Sequence, residues 1–369
     1  MKILVTTPDL AKQGGVASYY AALRPHLGED IEYFTVGARQ GRSHDVAGIR
    51  RMLSDLRGLA RKAASGEYSL IHVNPSLHWK ALIRDGLSLI IARKHGLKTV
   101  VFFRGWGRRL EQIVRGRLPG WPFRSTFLGA DAILVLAGAY AQALREIGYS
   151  GTLFLESTAV PVSATSSGRS PAKASDGKFM VLWLSRLEKG KGADIAVDAF
   201  CELRQRHKGV SLSLAGDGKA ANEVRELVAK RQLEEVEFHG FVRSAAKQRV
   251  LNEASVYIFT SSLDEGMPNS VLEAMACGLP VITRAVGGIA DFFEDGKMGF
   301  MTDSLDPRVF ADLIERLIND PCLRSRMGEY NQCFAFQHFR AEAVAQRLRA
   351  IYADVSAGLV NGTGRSWNA

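Results

Sequence analysis

The stretch Glu265–Ile282, which reads EGMPNSVLEAMACGLPVI, carries the strongest structural signal in the chain. A β-rich run ends near Thr260, a loop with glycine and proline follows, and a helix is predicted to begin near Ser270. Ser270 and Glu273 have the spacing of a capping box, in which the two side chains only stabilise the helix start. Alternatively, Glu265 and Glu273 flank a helix N-terminus, where free backbone N–H groups attract phosphate and a carboxylate can accept hydrogen bonds from sugar hydroxyls.

The same alternation of strand and helix recurs along the whole chain. The predicted strands are Lys2–Thr7, Ile31–Val36, Leu70–Val73, Thr99–Phe103 and Ala132–Leu136 in the first half, and Phe179–Leu184, Ser211–Ala215, Val236–Phe238, Val256–Phe259 and Pro280–Thr283 in the second. Apolar strands separated by helices predict parallel, doubly wound sheets. Since 369 residues are too many for one core, we expect two Rossmann-like domains with a cleft between them, faced by the carboxyl edges of both sheets.

A segment rich in serine, proline and glycine separates the two series. We therefore predict an N-terminal domain at 1–165, a linker at 166–178 and a C-terminal domain at 179–335. Residues 336–369 are expected to form a C-terminal helix, which packs back on the first domain, and a tail.

The composition excludes several classes of protein. With 46% hydrophobic and 23% charged residues, the chain is neither disordered nor collagen-like. No segment approaches the roughly 20 apolar residues that span a bilayer, and the first residues read as a strand rather than a signal peptide. The four cysteines lack C-x-x-C spacing, so we expect neither a zinc site nor a disulfide framework, and a reducing cytosol is the default compartment.

The formal net charge of +10 is unevenly distributed. Residues 1–175 carry a net charge of +12, whereas 176–369 carry −2. This asymmetry indicates that the first domain meets a negatively charged partner, which leaves nucleic acid, an anionic membrane and a phosphate-rich acceptor open.

Two basic clusters account for much of this charge. In the first, a helical face of Ile49, Met52, Leu53, Leu56, Leu59, Ala60 and Ala63 is bordered by Arg50, Arg51, Arg57, Arg61 and Lys62. The second contains Arg104, Arg108, Arg109, Arg115, Arg117 and Arg124 with Trp106, Trp121 and Phe123, opposed only by Glu111. Either the apolar faces pack on the sheet and the arginines are solvated, or the clusters dock on an anionic membrane.

Three loops that follow predicted strands contain glycines or basic residues. Arg186 and Lys191 lie at a strand-to-helix edge, where they are either solvated or converge on a diphosphate. Gly216 belongs to a Gly-Asp-Gly turn, and Gly15 to the first strand–helix loop, where a glycine lets the backbone approach a phosphate. The first loop is not G-x-G-x-x-G, which argues against a dinucleotide site.

These motifs together resemble the retaining glycosyltransferases of family 4, also called glycosyl transferases group 1. The resemblance rests on the stretch EGMPNSVLEAMACGLPVI with its two glutamates and on the segments that begin at Ser185, Leu214, Val286 and Glu294. It is specific from about Phe179 to Met301. It implies the GT-B fold, with two doubly wound Rossmann-like domains and C-terminal helices. It also implies a retaining hexosyltransferase that uses a UDP- or GDP-type nucleotide sugar in glycan biosynthesis, of polysaccharide or lipopolysaccharide.

The resemblance also implies roles for individual residues. Glu265, Arg186 and Lys191 would be catalytic, with Glu265 on the sugar ring and the two cations on the leaving diphosphate. The donor would be held by Gly15, Gly216, Phe241, Gly266, Met267, Pro268, Asn269 and Glu273, of which Glu273 binds the ribose. Arg104 follows the fourth strand, where the family often has a histidine, and would contact the leaving phosphate or the acceptor.

No Asp-x-Asp pair that would hold a metal on a diphosphate occurs in the chain, so we expect neither a required metal nor a cofactor. The implied partners are a nucleotide sugar, a glycan or lipid-linked acceptor and an anionic membrane surface, without nucleic acid. The implied location is the cytoplasm, peripherally on the inner face of the plasma membrane. The alternatives are a nucleotide-sugar epimerase or sugar phosphorylase of the same fold and a non-catalytic nucleic-acid-binding module, for which no base-reading motif is present.

Overall fold

The computed structural model describes residues 2–11, 14–37, 45–75, 79–116, 120–160, 178–263 and 265–359. The chain divides into two compact units. Unit 1 comprises Met1–Ala159, Glu265–Met267 and Ala341–Ala369, and unit 2 comprises Val160–Asp264 and Pro268–Arg340. The predicted linker up to 177, the tail from 360 and Arg117 lie outside the described residues.

Unit 1 is built on a parallel sheet. Its strands are β1 (Lys2–Thr7), β2 (Ile31–Thr35), β3 (Tyr68–Val73), β4 (Lys98–Phe103), β5 (Ala132–Val135) and β6 (Thr152–Leu155). The helices between them are α1 (Gly15–Leu27), α2 (Asp45–Ala64), α3 (Trp79–Lys94), α4 (Arg108–Arg115), α5 (Trp121–Phe127) and α6 (Gly138–Ile147). The strand order is β2-β1-β3-β4-β5-β6.

Unit 2 has a second parallel sheet with the order β12-β11-β10-β7-β8-β9. Its strands are β7 (Phe179–Leu184), β8 (Val210–Ala215), β9 (Val236–Gly240), β10 (Val256–Phe259), β11 (Val281–Arg284) and β12 (Gly299–Thr302). Its helices are α7 (Ala193–Arg206), α8 (Ala221–Lys230), α9 (Ser244–Glu253), α10 (Asn269–Ala276), α11 (Pro307–Asn319) and α12 (Pro321–His338), with a 3-10 turn at Gly287–Asp291. A last helix, α13 (Ala341–Ser356), belongs to unit 1.

The predicted fold class is confirmed: both sheets are parallel and doubly wound. The strands form the two cores because they are apolar on both faces; all four residues of β10, for example, are buried. In each sheet the strand order reverses once, between β1 and β3 and between β7 and β10. Ligands of open α/β sheets bind at the carboxyl ends of the strands beside such a reversal.

Two short strands are absent from the sequence prediction. The strands β6 and β12 have only four residues each, too few to show periodicity. The second begins at Gly299, whose φ of +141° and close approach to the backbone of Val281 leave no room for a Cβ atom. A glycine normally argues against a strand, whereas here it permits the edge strand to pair.

No helix of the described residues is both long and apolar enough to cross a lipid bilayer. The C-terminal helix α13 packs against α1. It also carries Arg347, whose guanidinium forms a 2.6 Å ion pair with the buried carboxylate of Glu156 beyond β6. This helix is therefore an integral layer of unit 1, although it follows the whole of unit 2 in the sequence.

A buried histidine joins α13 to the sheet of unit 1. His72 on β3 lies 2.7 Å from the Tyr352 hydroxyl through Nδ1 and 3.3 Å from the Tyr20 hydroxyl through Nε2. Burial, helped by the nearby charge of Arg104, lowers the pKa of His72 to about 3. The side chain is therefore a neutral structural connector in the folded protein.

We predict that His72 makes unit 1 sensitive to acid. In the unfolded chain its pKa returns to about 6.5. Below that pH the unfolded state therefore binds a proton that the folded state does not bind. As the pH falls further, the free energy of unfolding decreases by about 1.4 kcal/mol per pH unit. The stability advantage of the wild type over His72→Gln, measured by urea unfolding, should shrink by about 2–3 kcal/mol between pH 7.5 and pH 4.5.

The control for this experiment is His95→Gln, because His95 is an exposed histidine in the same unit. If His72→Gln keeps a constant stability difference from the wild type over this range, His72 does not remain neutral on folding.

Candidate functional site

Three loops meet at the carboxyl edge of the unit 2 sheet, where the strand order reverses. They follow β7, β8 and β10. The Ser262 amide donates to the Gly190 carbonyl over 2.8 Å, and the Leu187 amide donates to the Asp217 carbonyl over 3.0 Å. The Thr260 hydroxyl also donates to the Gly192 carbonyl over 2.6 Å. Backbone hydrogen bonds thus hold the three loops in one fixed arrangement.

Glycine is required at two places in this arrangement. A Cβ atom on Gly216 would overlap the carbonyl oxygen of Ser185, and one on Gly192 would overlap the carbonyl of Thr260. Both glycines have positive φ values, of +152° and +81°. Gly216 therefore has a structural role, because it lets the β7 and β8 loops approach each other. Its predicted role in donor binding would be additional to this one.

The two predicted phosphate-binding cations lie on the β7 loop in different environments. Arg186 is exposed, and its guanidinium pairs with Glu188 at 2.9 Å. Lys191 is buried, with 7% of its surface exposed, and directly precedes the Gly192 N-cap of α7. The N-cap residue Gly192 has no side chain that could cap this helix start. A buried lysine directly before the N-terminus of a helix is an environment that favours an anion.

The capping-box interpretation of Ser270 and Glu273 is wrong. The N-cap of α10 is Pro268, Asn269 is the exposed first helical residue, and Glu273 begins the second turn rather than lying in the first. The Ser270 hydroxyl instead accepts a 2.8 Å hydrogen bond from Tyr257. Consequently neither side chain is used to cap the helix.

Glu273 is a buried acid with a basic partner. Its Oε1 accepts a 2.6 Å hydrogen bond from the Lys247 ammonium of α9. Burial raises the pKa of the Glu273 carboxyl, and the charge and hydrogen bond of Lys247 oppose this shift. No local sequence pattern points to Lys247, because the pair joins two helices through residues 26 positions apart.

Three residues of the signature stretch belong to unit 1 instead of unit 2. The Glu265 carbonyl accepts a 2.6 Å hydrogen bond from the Tyr140 hydroxyl of α6. Gly266 lies against the Arg104 carbonyl so closely that a Cβ atom would clash, and Met267 is buried. The backbone of Glu265–Met267 is therefore held by unit 1, another contact that the sequence did not reveal.

The remaining predicted donor residues are Gly15 and Phe241. Gly15 opens α1, and a Cβ atom there would meet nothing within 4 Å, so the fold itself does not demand glycine. Phe241 follows β9 and is 60% exposed, with the Arg243 guanidinium 4.6 Å from its ring centroid. An exposed aromatic ring stacked on a cation offers a flat surface at the same edge of the unit 2 sheet.

Arg104, the predicted acceptor-side residue, follows β4 in unit 1. Its guanidinium carbon lies 3.6 Å from the ring centroid of Tyr19 and 4.4 Å from that of Phe102. It therefore does not belong to a solvent-exposed basic cluster, contrary to the sequence interpretation.

Other members of that second cluster are also occupied internally. Arg115 pairs with Glu146 as well as Glu111. Arg124 donates to three carbonyl oxygens at the end of α4, and Trp106 and Phe123 are buried. The sequence therefore overstated the free positive surface here. In α2, by contrast, the apolar face divides: Leu59 and Ala63 are buried, while Ile49 and Leu53 are exposed.

Within the described ranges, no group of three or more histidine, cysteine, aspartate or glutamate side chains is placed to hold a metal ion.

Comparison with known proteins relates part of the chain to one family. Residues 168–333 match the model of the glycosyl transferases group 1, and this part of the chain is therefore similar to that family. Curated relatives include spore coat protein SA of Bacillus subtilis, 31% identical over 48% of this chain, and the alpha-D-kanosaminyltransferase of Streptomyces kanamyceticus, 27% identical over 49%. The chain spans about half the length of these curated relatives, 49% and 47% respectively.

Solved structures extend the likeness to the fold of the whole chain. Anabaena HepE, solved in complex with UDP, is 20% identical, with a TM-score of 0.73 over 96% of this chain and 100% of its own. Sucrose-phosphate synthase from Thermosynechococcus elongatus is 19% identical, with a TM-score of 0.69 over 97% of this chain and 99% of its own. The two-sheet architecture is thus that of GT-B proteins.

We predict that Lys247→Met destabilises this protein in a pH-dependent way. Below the raised pKa of Glu273 the carboxyl is protonated and loses little when its partner is removed. Above it, the variant must bury an unpaired carboxylate, which costs about 3 kcal/mol. Urea unfolding should therefore show a loss that grows as the pH rises from 5 to 8.

Lys230→Met is a suitable control, since this residue lies exposed at the end of α8 and the variant also removes one positive charge from unit 2. An equal loss for Lys247→Met at both pH values would contradict the ionic role of the pair.

Proposed function

We propose that this chain is a retaining glycosyltransferase that transfers a sugar from a UDP- or GDP-type nucleotide sugar to a glycan or lipid-linked acceptor. The observation that carries the proposal is the edge of the unit 2 sheet, where three loops joined by hydrogen bonds place Lys191 directly before the start of α7. The match of residues 168–333 to the glycosyl transferases group 1 supports it, as does the likeness to the HepE fold, which has been solved with UDP-glucose.

In this proposal the diphosphate binds at the β7 loop. When the bond between the anomeric carbon and the diphosphate oxygen breaks, negative charge develops on the leaving diphosphate. Lys191, Arg186 and the N–H groups of α7 stabilise that charge electrostatically. Arg186 must turn from Glu188 towards the phosphate, which its exposed position permits. These fixed cations take the place of a metal ion, so we propose that no metal is required.

The acceptor oxygen forms its new bond on the face from which the diphosphate leaves. Its proton passes to the leaving diphosphate oxygen, so that the configuration at the anomeric carbon is retained. Glu265 orients the sugar ring, Glu273 accepts hydrogen bonds from the ribose, and Lys247 favours the ionised form of Glu273 that does so. Gly15, Gly266, Met267, Pro268 and Asn269 complete the donor contacts, and Phe241 lies against the base.

A panel of nucleotides and nucleotide sugars tests this function. UDP or GDP should raise the unfolding temperature, since a ligand at about 100 times its dissociation constant stabilises by roughly 2.7 kcal/mol. With a matching acceptor, NMR should show a product with the anomeric configuration of the donor, formed equally well in EDTA. Conversion of the nucleotide sugar without any acceptor would favour the epimerase alternative, and absence of nucleotide binding would refute the proposal.

We predict that the two glutamates separate into different kinetic effects. Glu265→Gln should lower turnover by at least about 100-fold while nucleotide affinity changes little, because its side chain acts on the sugar. Glu273→Gln should weaken UDP or GDP binding itself, by about tenfold, because a charge-assisted hydrogen bond contributes about 1.5–3 kcal/mol. Wild-type turnover in Glu265→Gln would contradict its assignment, and unchanged nucleotide affinity in Glu273→Gln would contradict the ribose contact.

We also propose that unit 1 docks on an anionic membrane, on the cytoplasmic face, where a lipid-linked acceptor would be met. The helices α2, α3, α5 and α4 pack in series, with Gly86 of α3 directly against Thr126 of α5. This helical layer leaves large apolar side chains in solvent: Ile49, Leu53, Ile83, Leu87, Ile90, Ile113 and Trp121. Arg50, Arg57, Arg61 and Lys94 on the same helices are exposed and supply the complementary charge.

The face of α3 provides the sharpest test. Replacing Ile83, Leu87 and Ile90 together by glutamine should lower binding to vesicles containing anionic lipid at least about tenfold in co-sedimentation. Added salt should weaken the wild type in the same assay, because each basic residue near the surface contributes on the order of 1 kcal/mol. Leu305→Gln is the matched control, since Leu305 is equally exposed but lies in unit 2. Wild-type protein that ignores such vesicles at low salt would favour a soluble acceptor.

A further inference from the structure

Arg104 holds a positive charge in the interior of unit 1 in an unusual way. Aromatic rings cover its guanidinium, with Tyr19 3.6 Å and Phe102 4.4 Å from the central carbon. A planar guanidinium covered by rings can form hydrogen bonds only through its edges. One edge is partly used, because Nε donates a long 3.4 Å hydrogen bond to the Asn74 side chain.

The guanidinium also forms a hydrogen bond with the Tyr20 side chain. Its Nη2 nitrogen, however, is buried and makes no hydrogen bond with the described residues, and neither does the buried hydroxyl of Tyr19. Because the Tyr19 ring stacks directly on the guanidinium, these two unsatisfied groups belong to side chains in direct contact. Buried polar groups in native proteins are almost always hydrogen-bonded, so two such donors together call for an explanation.

The neighbouring side chains do not neutralise the charge. His72 is neutral, because burial and Arg104 itself lower its pKa to about 3. Burial likewise raises the pKa of Tyr20 to about 12. The buried carboxylate of Glu156 is engaged by Arg347, which binds it through both Nε and Nη2. Among the described residues Arg104 therefore has no acidic partner.

The loop that follows Arg104 is uncrowded at its two glycines. Gly105 and Gly107 each have open space where a side chain would begin, with nothing within 4 Å. Gly14 and Gly15 lie at the start of the helix that carries Tyr19, and a Cβ atom at either position would also have nothing within 4 Å. The two unsatisfied donors thus belong to elements whose exposed ends are not filled by the protein.

We propose that Arg104 and Tyr19 form a receptor for an oxyanion, a carboxylate or phosphate group carried by the acceptor. Both protein groups are donors, so the complementary ligand is an acceptor-only group, and the guanidinium edge matches the paired oxygens of such an anion. A neutral sugar hydroxyl would leave the charge of Arg104 uncompensated. The assignment to the acceptor rests on the proposed transferase function, whereas the anion site itself does not.

The experiment compares wild type, Arg104→Met, Arg104→Lys and Tyr19→Phe, with Arg24→Met as the control that removes an exposed arginine from the same unit. The probes are sodium phosphate and sodium acetate against sodium chloride at equal ionic strength, followed by thermal unfolding and calorimetric titration. UDP binding is measured first, and the anion titrations are repeated with saturating UDP so that a phosphate site in unit 2 is already filled.

We expect phosphate or acetate to stabilise the wild type and Arg24→Met, with at least a tenfold loss of anion affinity in Arg104→Met and smaller losses in Arg104→Lys and Tyr19→Phe. In chloride alone, Arg104→Met should unfold at the same or a higher temperature than the wild type, because it removes an uncompensated buried charge. A merely structural arginine would instead lower that temperature. Stronger protection by phosphate indicates a phosphorylated acceptor, and stronger protection by acetate indicates a carboxylated one.

Three outcomes would overturn the proposal. Equal anion affinity in Arg104→Met and Arg24→Met means that water alone satisfies the site. Loss of UDP affinity in Arg104→Met by the same factor as phosphate means that the anion is the donor's diphosphate. A lower unfolding temperature for both Arg104 variants in chloride, without loss of anion affinity, assigns a structural role. If the wild type binds neither UDP nor GDP, the transferase proposal fails, while the anion titrations still decide the fate of the Arg104 site.

Discussion

The contact between the backbones of Ser185 and Gly216 is the constraint on which the unit 2 edge depends. The two loops approach so closely that no side chain fits at position 216. Because glycine has no side chain there, the loop backbones can approach closely, and backbone hydrogen bonds join the loops after β7, β8 and β10. These hydrogen bonds fix the point at which α7 starts, and hence the positions of Lys191 and of the first N–H groups of that helix. A rigid anion environment can be built in this way from main-chain atoms, which lose little entropy when a ligand binds.

The two units treat buried charge differently, and the difference follows from what each charge contacts. Glu273 and Glu156 each have a basic partner within hydrogen-bond distance, Lys247 and Arg347. Arg104 has two aromatic rings instead. Ring quadrupoles attract a cation but do not cancel its charge. The positive charge of Arg104 therefore stays uncompensated, whereas that of an arginine paired with a carboxylate is neutralised. Paired charges position structural elements, whereas an unpaired one is available to a ligand.

The helical layer of unit 1 shows how much exposure matters in interpreting amphipathic helices. The apolar residues of α2 form one stripe in sequence, yet its C-terminal part is buried and its N-terminal part is in solvent. The exposed face of α3 has no unusual signature, because its isoleucines and leucine follow the same spacing as core residues. A surface that combines several helices emerges only when their packing is known, as do the ion pairs and carbonyl contacts that occupy Arg115 and Arg124.

The sequence by itself determined the fold class, most of the strands and the family resemblance. Apolar runs, turn residues and the EGMPNSVLEAMACGLPVI stretch are local patterns, which can be recognised without knowledge of any tertiary contact. It also singled out Glu273, Lys191 and Arg104 as residues of interest. Only the tertiary structure decided that Glu273 pairs with Lys247 rather than capping its helix, that Glu265–Met267 is held by Tyr140 of unit 1, and that Arg104 lies between rings without an acidic partner. These are contacts between residues far apart in the chain, and local patterns carry no information about which distant side chain fills a given buried position.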